Sequence, residues 1–90
     1  MPLRVRHRAL LATTVDVQFA LGRRIRILRE DLLLSQDQLA KALGLSQRYI
    51  SELERGTKTP SLDTLVRIAH IGLRIPIADL FHYVDRVVAD

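Results

Sequence analysis

The stretch from Gln47 to Gly56, QRYISELERG, carries glutamine, arginine, serine and glutamate, whose side chains can hydrogen-bond to the edges of DNA bases. Glutamine and arginine can each form paired hydrogen bonds with a purine, and glutamate can accept a hydrogen bond from cytosine. Only Ile50 and Leu53 are aliphatic, and their spacing places both on one face of a helix. The pattern predicts a short helix with one buried edge and one polar face, and an ordinary solvated face is the alternative.

A second short helix is predicted just before this stretch, and Gly44 separates the two. Ser35 followed by Gln38 is the sequence of a capping box, and Gly44 can take the left-handed conformation that closes a helix. Two short helices joined in this way pack at a steep angle, and the small residue Ala40 lets them cross closely. Such a helix-turn-helix leaves the polar face of its second helix free to enter a DNA major groove.

The apolar periodicity of the whole chain predicts five helices and no strand after Asp16. Serines before helices 3 and 4 are expected to cap them, and glycines are expected to end both helices. Short helices with brief connections predict a compact all-α domain. The predicted elements are helix 1 (roughly 17–32), helix 2 (Ser35 to Gly44), helix 3 (Ser46 to Gly56), helix 4 (Ser61 to Gly72) and helix 5 (from Pro76).

Length, charge and cysteine content limit the class of protein. Ninety residues correspond to one domain, and the absence of cysteine excludes disulfides and favours a reducing cytoplasm. The net charge of +4 and the isoelectric point of about 10.3 suit a polyanionic partner. Residues 1–34 hold seven arginines against three acidic residues, whereas residues 61–90 hold three arginines against four. We therefore expect a basic end suited to phosphates and a nearly neutral end suited to a protein surface.

No residue pattern predicts an enzyme, a metal site, a cofactor or a membrane segment. His7, His70 and His82 lack the spacing of metal ligands, and neither a catalytic triad nor a glycine-rich phosphate loop is recognisable. The apolar runs are far shorter than the roughly 18 residues of a membrane span. Asp16 interrupts the basic and apolar start, which argues against a signal peptide. The expectation is a cytoplasmic protein that is not an enzyme and needs no cofactor.

Three segments in order resemble the Xre family of helix-turn-helix domains, also called the Cro/C1 type. The resemblance covers about residues 20–82, and its segments are LGRRIRILRE (21–30), LSQDQLAKALGLSQRYISELERG (34–56) and TPSLDTLVRIA (59–69). It implies a compact five-helix, lambda repressor-like fold over residues 18–90, after a basic extension of residues 1–17. The helix-turn-helix motif would span about residues 36–55. The implied function is transcriptional regulation, of repressor or controller type, through double-stranded DNA.

By position, the resemblance implies two kinds of DNA contact. The candidate base-reading residues are Gln47, Arg48, Ser51 and Glu52. The candidate phosphate-contacting residues are Gln36, Tyr49, Thr57, Lys58 and Thr59. The resemblance also implies that Arg29 and Glu54 meet and tie helix 1 to the end of helix 3, with two ordinary surface charges as the alternative.

Two departures from the family pattern affect the fold. Leu33 stands where family members usually carry glycine, so helix 1 is expected either to end differently or to expose an extra leucine. The segment HIGLRIPIADLF (70–81) is one residue longer than the usual connection between helices 4 and 5. The seating of helix 5 is therefore left open.

The two ends of the chain suggest interactions beyond the motif. The apolar stripe of helix 5 is longer than one small domain needs, which predicts a homodimer that binds a pseudo-palindromic operator. Packing of the whole stripe within one chain is the alternative. The candidate dimer-interface residues are Phe81, Val84, Val87 and Val88.

At the other end, LRVRHR (3–8) alternates basic and other residues. Arg4, Arg6 and Arg8 could belong to a solvated tail, to an arm laid on DNA or to a strand paired across a dimer, and the sequence leaves all three open.

A protein-binding module of the same fold is the alternative function. An antitoxin, for example, would have a protein as its main partner and would bind DNA only in a second role. A toxin or RNA polymerase are candidate protein partners, and the sequence identifies neither.

Overall fold

The computed structural model describes residues 14–82 and Val84, and within that part of the chain every regular element is helical. The predicted all-α fold of five helices is confirmed there. A π-helical segment, Ile68–Leu73, continues the fourth helix. The helices are α1 (Thr14–Asp31), α2 (Gln36–Leu43), α3 (Gln47–Arg55), α4 (Leu62–Arg67) and α5 (Ile77–Leu80).

Serine and glycine residues set the ends of α2 and α3 as the sequence predicts. The Ser35 hydroxyl accepts a hydrogen bond from the Gln38 backbone N–H at 3.0 Å, and the Gln38 side chain accepts one from the Ser35 N–H at 2.8 Å. Ser46 caps α3, while Gly44 and Gly56 close the two helices with φ of 68° and 76°. The first and last residues of α3 are therefore set by these local contacts.

One hydrophobic cluster joins α1, α2, α3, the π-helical segment and α5. Complete burial of an aliphatic side chain contributes about 1.5–3 kcal/mol, so this cluster dominates the stability of the fold. From α3 it takes only aliphatic residues, so the polar side chains of that helix lie outside it. The buried members are Leu21, Ile25, Leu39, Ala40, Leu43, Ile50, Leu53, Ile68, Ala69, Leu73 and Leu80.

The predicted end of helix 4 at Gly72 is wrong, because the π-helical segment Ile68–Leu73 carries the chain past it. Arg74 then ends the segment in the left-handed conformation, with φ of 57°. A π-helical hydrogen bond spans five residues instead of four, so the segment can absorb one residue more than an α-helix. We therefore infer that a longer 70–81 connection is accommodated in this segment, while Leu80 of α5 still packs into the core.

Close packing is the reason for glycine at position 72. A Cβ atom there would lie 2.7 Å from Leu39 Cδ1 and 3.3 Å from Leu43 Cδ2. Gly72 is buried, so α2 and the π-helical segment approach each other across a surface that any larger residue would push apart.

Leu33 lies in the left-handed conformation at the end of α1, with φ of 60° and a side chain that is 90% exposed. Its N–H donates to the Glu30 carbonyl at 2.9 Å, so a tight turn follows the last helical residue, Asp31. A side chain in this conformation costs about 1–2 kcal/mol, which glycine would avoid. The chain therefore exposes an extra leucine at the position where the resemblance implies glycine.

The last described helix, α5, is short and closes the core. The Arg24 guanidinium donates to the Asp79 carbonyl at 3.1 and 3.3 Å and holds α5 against α1. Leu80 is completely buried, Val84 is 3% exposed, and Phe81 between them is 39% exposed. Of these, only Phe81 presents a substantial surface to solvent.

No helix among the described residues is long and apolar enough to cross a membrane.

Candidate nucleic-acid interface

The polar face of α3 lies opposite its buried edge. Gln47 and Arg48 at the start of the helix are exposed, and Ser51 and Glu52 in its second turn are half-buried. The structure therefore brings the four candidate base-reading residues onto one helix of nine residues. Such a helix is narrow enough to enter a DNA major groove.

Glu52 joins two cations of this surface. The Arg48 Nε atom donates to Glu52 Oε1 at 3.2 Å, and the Lys58 Nζ atom lies 4.0 Å from Glu52 Oε2. The Glu52 backbone carbonyl accepts hydrogen bonds from the Thr57 N–H at 3.0 Å and from its hydroxyl at 3.1 Å. The loop after α3 is thus folded back on the helix, and helix and loop form one continuous surface.

Three of the candidate phosphate contacts lie in the same loop. Thr57, Lys58 and Thr59 are exposed, and the Gln18 side chain donates a hydrogen bond to the Thr59 hydroxyl. The beginning of α1 therefore lies beside the loop. Tyr49 is half-buried and packs against the hydrophobic cluster. Some candidate residues lie outside the described part of the chain, namely Arg4, Arg6, Arg8, Val87 and Val88.

Arg29 and Glu54 form a buried ion pair between α1 and the end of α3. The Arg29 Nε and Nη2 atoms donate to the two carboxylate oxygens of Glu54 at 2.6 and 3.0 Å, and each residue is 8% exposed. The Arg29 Nη1 atom also donates to the Leu34 carbonyl at 2.6 Å. The hydrogen bond to Glu54 raises the pKa of the Arg29 guanidinium above its ordinary value. The Arg29 guanidinium therefore stays charged, and its two hydrogen bonds to Glu54 link α1 to the end of α3.

Gln36 is attached to this ion pair, which the sequence does not predict. Its Nε2 atom donates to Glu54 Oε1 at 3.0 Å, so the first residue of α2 is tied to the end of α3. The Gln36 side chain, a candidate phosphate contact, is therefore already hydrogen-bonded within the protein.

Gly22 in α1 is a second residue that the sequence pattern does not single out. A Cβ atom there would lie 2.2 Å from the Leu53 carbonyl oxygen and 2.8 Å from that of Glu54. The backbones of α1 and α3 therefore touch at this point. An isolated glycine inside a helical pattern, with no turn nearby, is the sequence signal for such an approach.

Comparison with known proteins decides the family. The family model described as helix-turn-helix matches residues 25–72, which run from the middle of α1 to the π-helical segment. This chain belongs to the helix-turn-helix family. The expected Xre or Cro/C1 type is confirmed. Within the domain, the helix-turn-helix motif consists of α2, the turn after Gly44, and α3.

Individual relatives of this helix-turn-helix protein include phage and bacterial proteins. It is 47% identical over 49 residues to the ImmF control region 10 kDa protein of Bacillus phage phi105, covering 54% of each chain. It is 31% identical over 72 residues to the control protein C.MunI of Mycoplasma sp, covering 79% of this chain and 96% of that protein. The chain thus spans about half the length of the phage relative.

A solved structure shares the fold. The clp gene regulator ClgR from Corynebacterium glutamicum superposes on this helix-turn-helix protein with a TM-score of 0.76 and 34% sequence identity. The superposition covers 81% of this chain and 77% of ClgR.

The described residues contain no group of histidine, aspartate and glutamate side chains that could hold a metal ion.

Proposed function

We propose that this protein is a sequence-specific DNA-binding transcriptional regulator, of repressor or controller type. The observation that carries the proposal is the exposed polar face of α3, which is held outward by the buried residues of its opposite edge. Two similar proteins, the control protein C.MunI and the clp gene regulator ClgR, agree with a role in gene control. Because cellular DNA is the proposed target, the proposed location is the cytoplasm.

Different side chains of α3 contact different bases. Gln47 pairs with the N6 and N7 atoms of adenine, and Arg48 forks onto the O6 and N7 atoms of guanine. Ser51 completes the proposed base-reading face, and Glu52, the fourth candidate, lies between Arg48 and Lys58. The backbone of DNA is held by Gln36, Tyr49, Thr57, Lys58 and Thr59, with Arg4, Arg6 and Arg8 as a candidate arm.

The arm is supported by the hydrogen bond between Gln18 and Thr59. This contact places the first turns of α1, which follow the candidate arm in the sequence, next to the loop after α3. Basic side chains in such a position can follow the DNA backbone or enter the minor groove.

We also propose that the protein acts as a homodimer on a pseudo-palindromic operator. Two copies related by a two-fold axis would present their reading helices about 34 Å apart, one turn of DNA. Among the candidate interface residues, Phe81 supports this proposal through its exposure, whereas Val84 is buried within its own chain.

The experiment that tests the proposed function compares Arg48→Ala with Lys58→Ala. Loss of the Arg48 fork should weaken binding to the preferred site by about 1–3 kcal/mol and relax the choice of base at one position. Loss of Lys58, a phosphate contact, should weaken all duplexes alike and reduce the slope of log affinity against log salt by about 1. Fluorescence anisotropy over a series of salt concentrations measures both quantities.

Each variant serves as the other's control, because each removes one exposed cation from the same surface. If both substitutions weakened preferred and random duplexes by the same factor, Arg48 would not read bases.

A further inference from the structure

Glu52 places a carboxylate within the proposed DNA-binding surface, where a negative charge is unexpected. Phosphates repel Glu52, yet its side chain lies between Arg48 of α3 and Lys58 of the following loop. Each carboxylate oxygen faces a different cation, Oε1 towards Arg48 and Oε2 towards Lys58. The side chain of Glu52 is 22% exposed, whereas that of Arg48 is 89% exposed, so the carboxylate is the better-fixed partner.

The contact with Arg48 leaves the useful end of the guanidinium available for DNA. Glu52 accepts from the Nε atom, so the two terminal nitrogens, Nη1 and Nη2, can still form a fork with guanine. A guanidinium that is held by a carboxylate loses less conformational freedom on binding than an unrestrained one. Glu52 therefore favours the orientation of Arg48 that a base contact needs.

The same contacts oppose binding to random DNA. Nonspecific affinity comes from cations that neutralise phosphates and release counterions. To make such contacts, Arg48 and Lys58 must leave Glu52, and the uncovered carboxylate then faces the phosphates. At a preferred site, the paired hydrogen bonds of Arg48 with guanine offset the weakened contacts with Glu52. A random site offers no such compensation.

We propose that Glu52 sets the DNA specificity of this surface by orienting Arg48 and by competing with phosphates for Arg48 and Lys58. Glu52 is then a positioning residue that contacts no base itself. This proposal rests on the proposed function and extends it. The Glu52 carboxylate would help the protein to discriminate between preferred and random DNA.

Glu52→Gln tests the proposal, because glutamine keeps the size of the side chain and removes its charge. The hydrogen bonds from Thr57 go to the backbone carbonyl of residue 52 and do not depend on its side chain. We therefore expect Glu52→Gln to fold, and thermal unfolding checks this. At low salt we expect roughly three- to tenfold tighter binding to random duplexes, with a salt slope steeper by about 1. The preference for guanine at the Arg48 position should fall about tenfold.

Asp37→Asn is the matched control. Asp37 forms an ion pair with Lys41 at 3.0 Å, also one helical turn apart, and the substitution changes the net charge by the same amount. We expect Asp37→Asn to change the affinities for preferred and random duplexes by the same small factor and to leave the guanine preference unchanged.

The outcomes separate the proposal from its rivals. If Glu52→Gln behaved like Asp37→Asn, the positioning role would be overturned, although the proposed function would stand. If Glu52 read cytosine directly, Glu52→Gln would abolish a cytosine preference even when Arg48 is already alanine, and this would also overturn the proposal. A positioning role predicts that Glu52→Gln no longer affects base preference in the Arg48→Ala background. Absence of any base preference in the unmodified protein would instead overturn the proposed function.

Discussion

Replacement of Glu54 by alanine is expected to lower the free energy of unfolding by about 3–5 kcal/mol. Arg29 is 8% exposed, and the substitution removes the carboxylate that accepts two hydrogen bonds from its guanidinium. It also removes the acceptor of the Gln36 side chain at the start of α2. Domains of this size are stable by about 5–15 kcal/mol, so the loss is a large part of the total.

Urea denaturation followed by circular dichroism measures this change, at one protein concentration because a dimer would link stability to concentration. Glu30→Ala is the control, since Glu30 pairs with Arg26 at 3.5 Å while both side chains are more than half exposed. Such a surface pair is worth about 0–1 kcal/mol. A loss for Glu54→Ala no greater than that of the control would show that the buried pair does not hold α1 and α3 together.

The second large effect is expected at Gly22. In the middle of a helix, exchange of glycine for alanine normally stabilises a protein by about 1 kcal/mol. Here the added methyl group would lie 2.2 Å from the Leu53 carbonyl oxygen, and backbone atoms cannot turn away as a side chain can. We expect Gly22→Ala to destabilise the fold by about 3 kcal/mol, because α1 must move away from α3.

Thermal unfolding of Gly22→Ala tests this expectation. The reverse exchange, Ala42→Gly on the exposed face of α2, is the control and should cost the ordinary helix propensity of about 1 kcal/mol. Both substitutions would then destabilise, although they exchange the same two residues in opposite directions. An increase in the melting temperature of Gly22→Ala would mean that the two backbones are not in contact.

Local signals in the sequence predict the ends of α2 and α3 well. The capping box of Ser35 and Gln38 and the left-handed glycines at positions 44 and 56 each depend on residues within a few positions of one another. Because the causes are local, they can be read from the order of residues alone. The bounds of α3, on which the proposed function depends, follow from them.

Contacts between distant segments are where the sequence says least. Gly72 lies inside the π-helical segment, where it allows close packing against Leu39 and Leu43. In the sequence, the same glycine is typical of a helix end. The hydrogen bond from Gln36 to Glu54 joins residues 18 positions apart and requires the tertiary arrangement. Periodicity identifies the face of a helix but not the groups that another segment brings to that face.

The central claim is that side chains of α3 discriminate between bases in the major groove. Selection of bound duplexes from a random pool by the purified protein tests this claim most directly. The proposed function predicts enrichment of a short motif in two inverted copies whose centres lie about one helical turn, or 34 Å, apart. Recovery of duplexes with no shared motif, at a salt concentration that suppresses nonspecific binding, would contradict it.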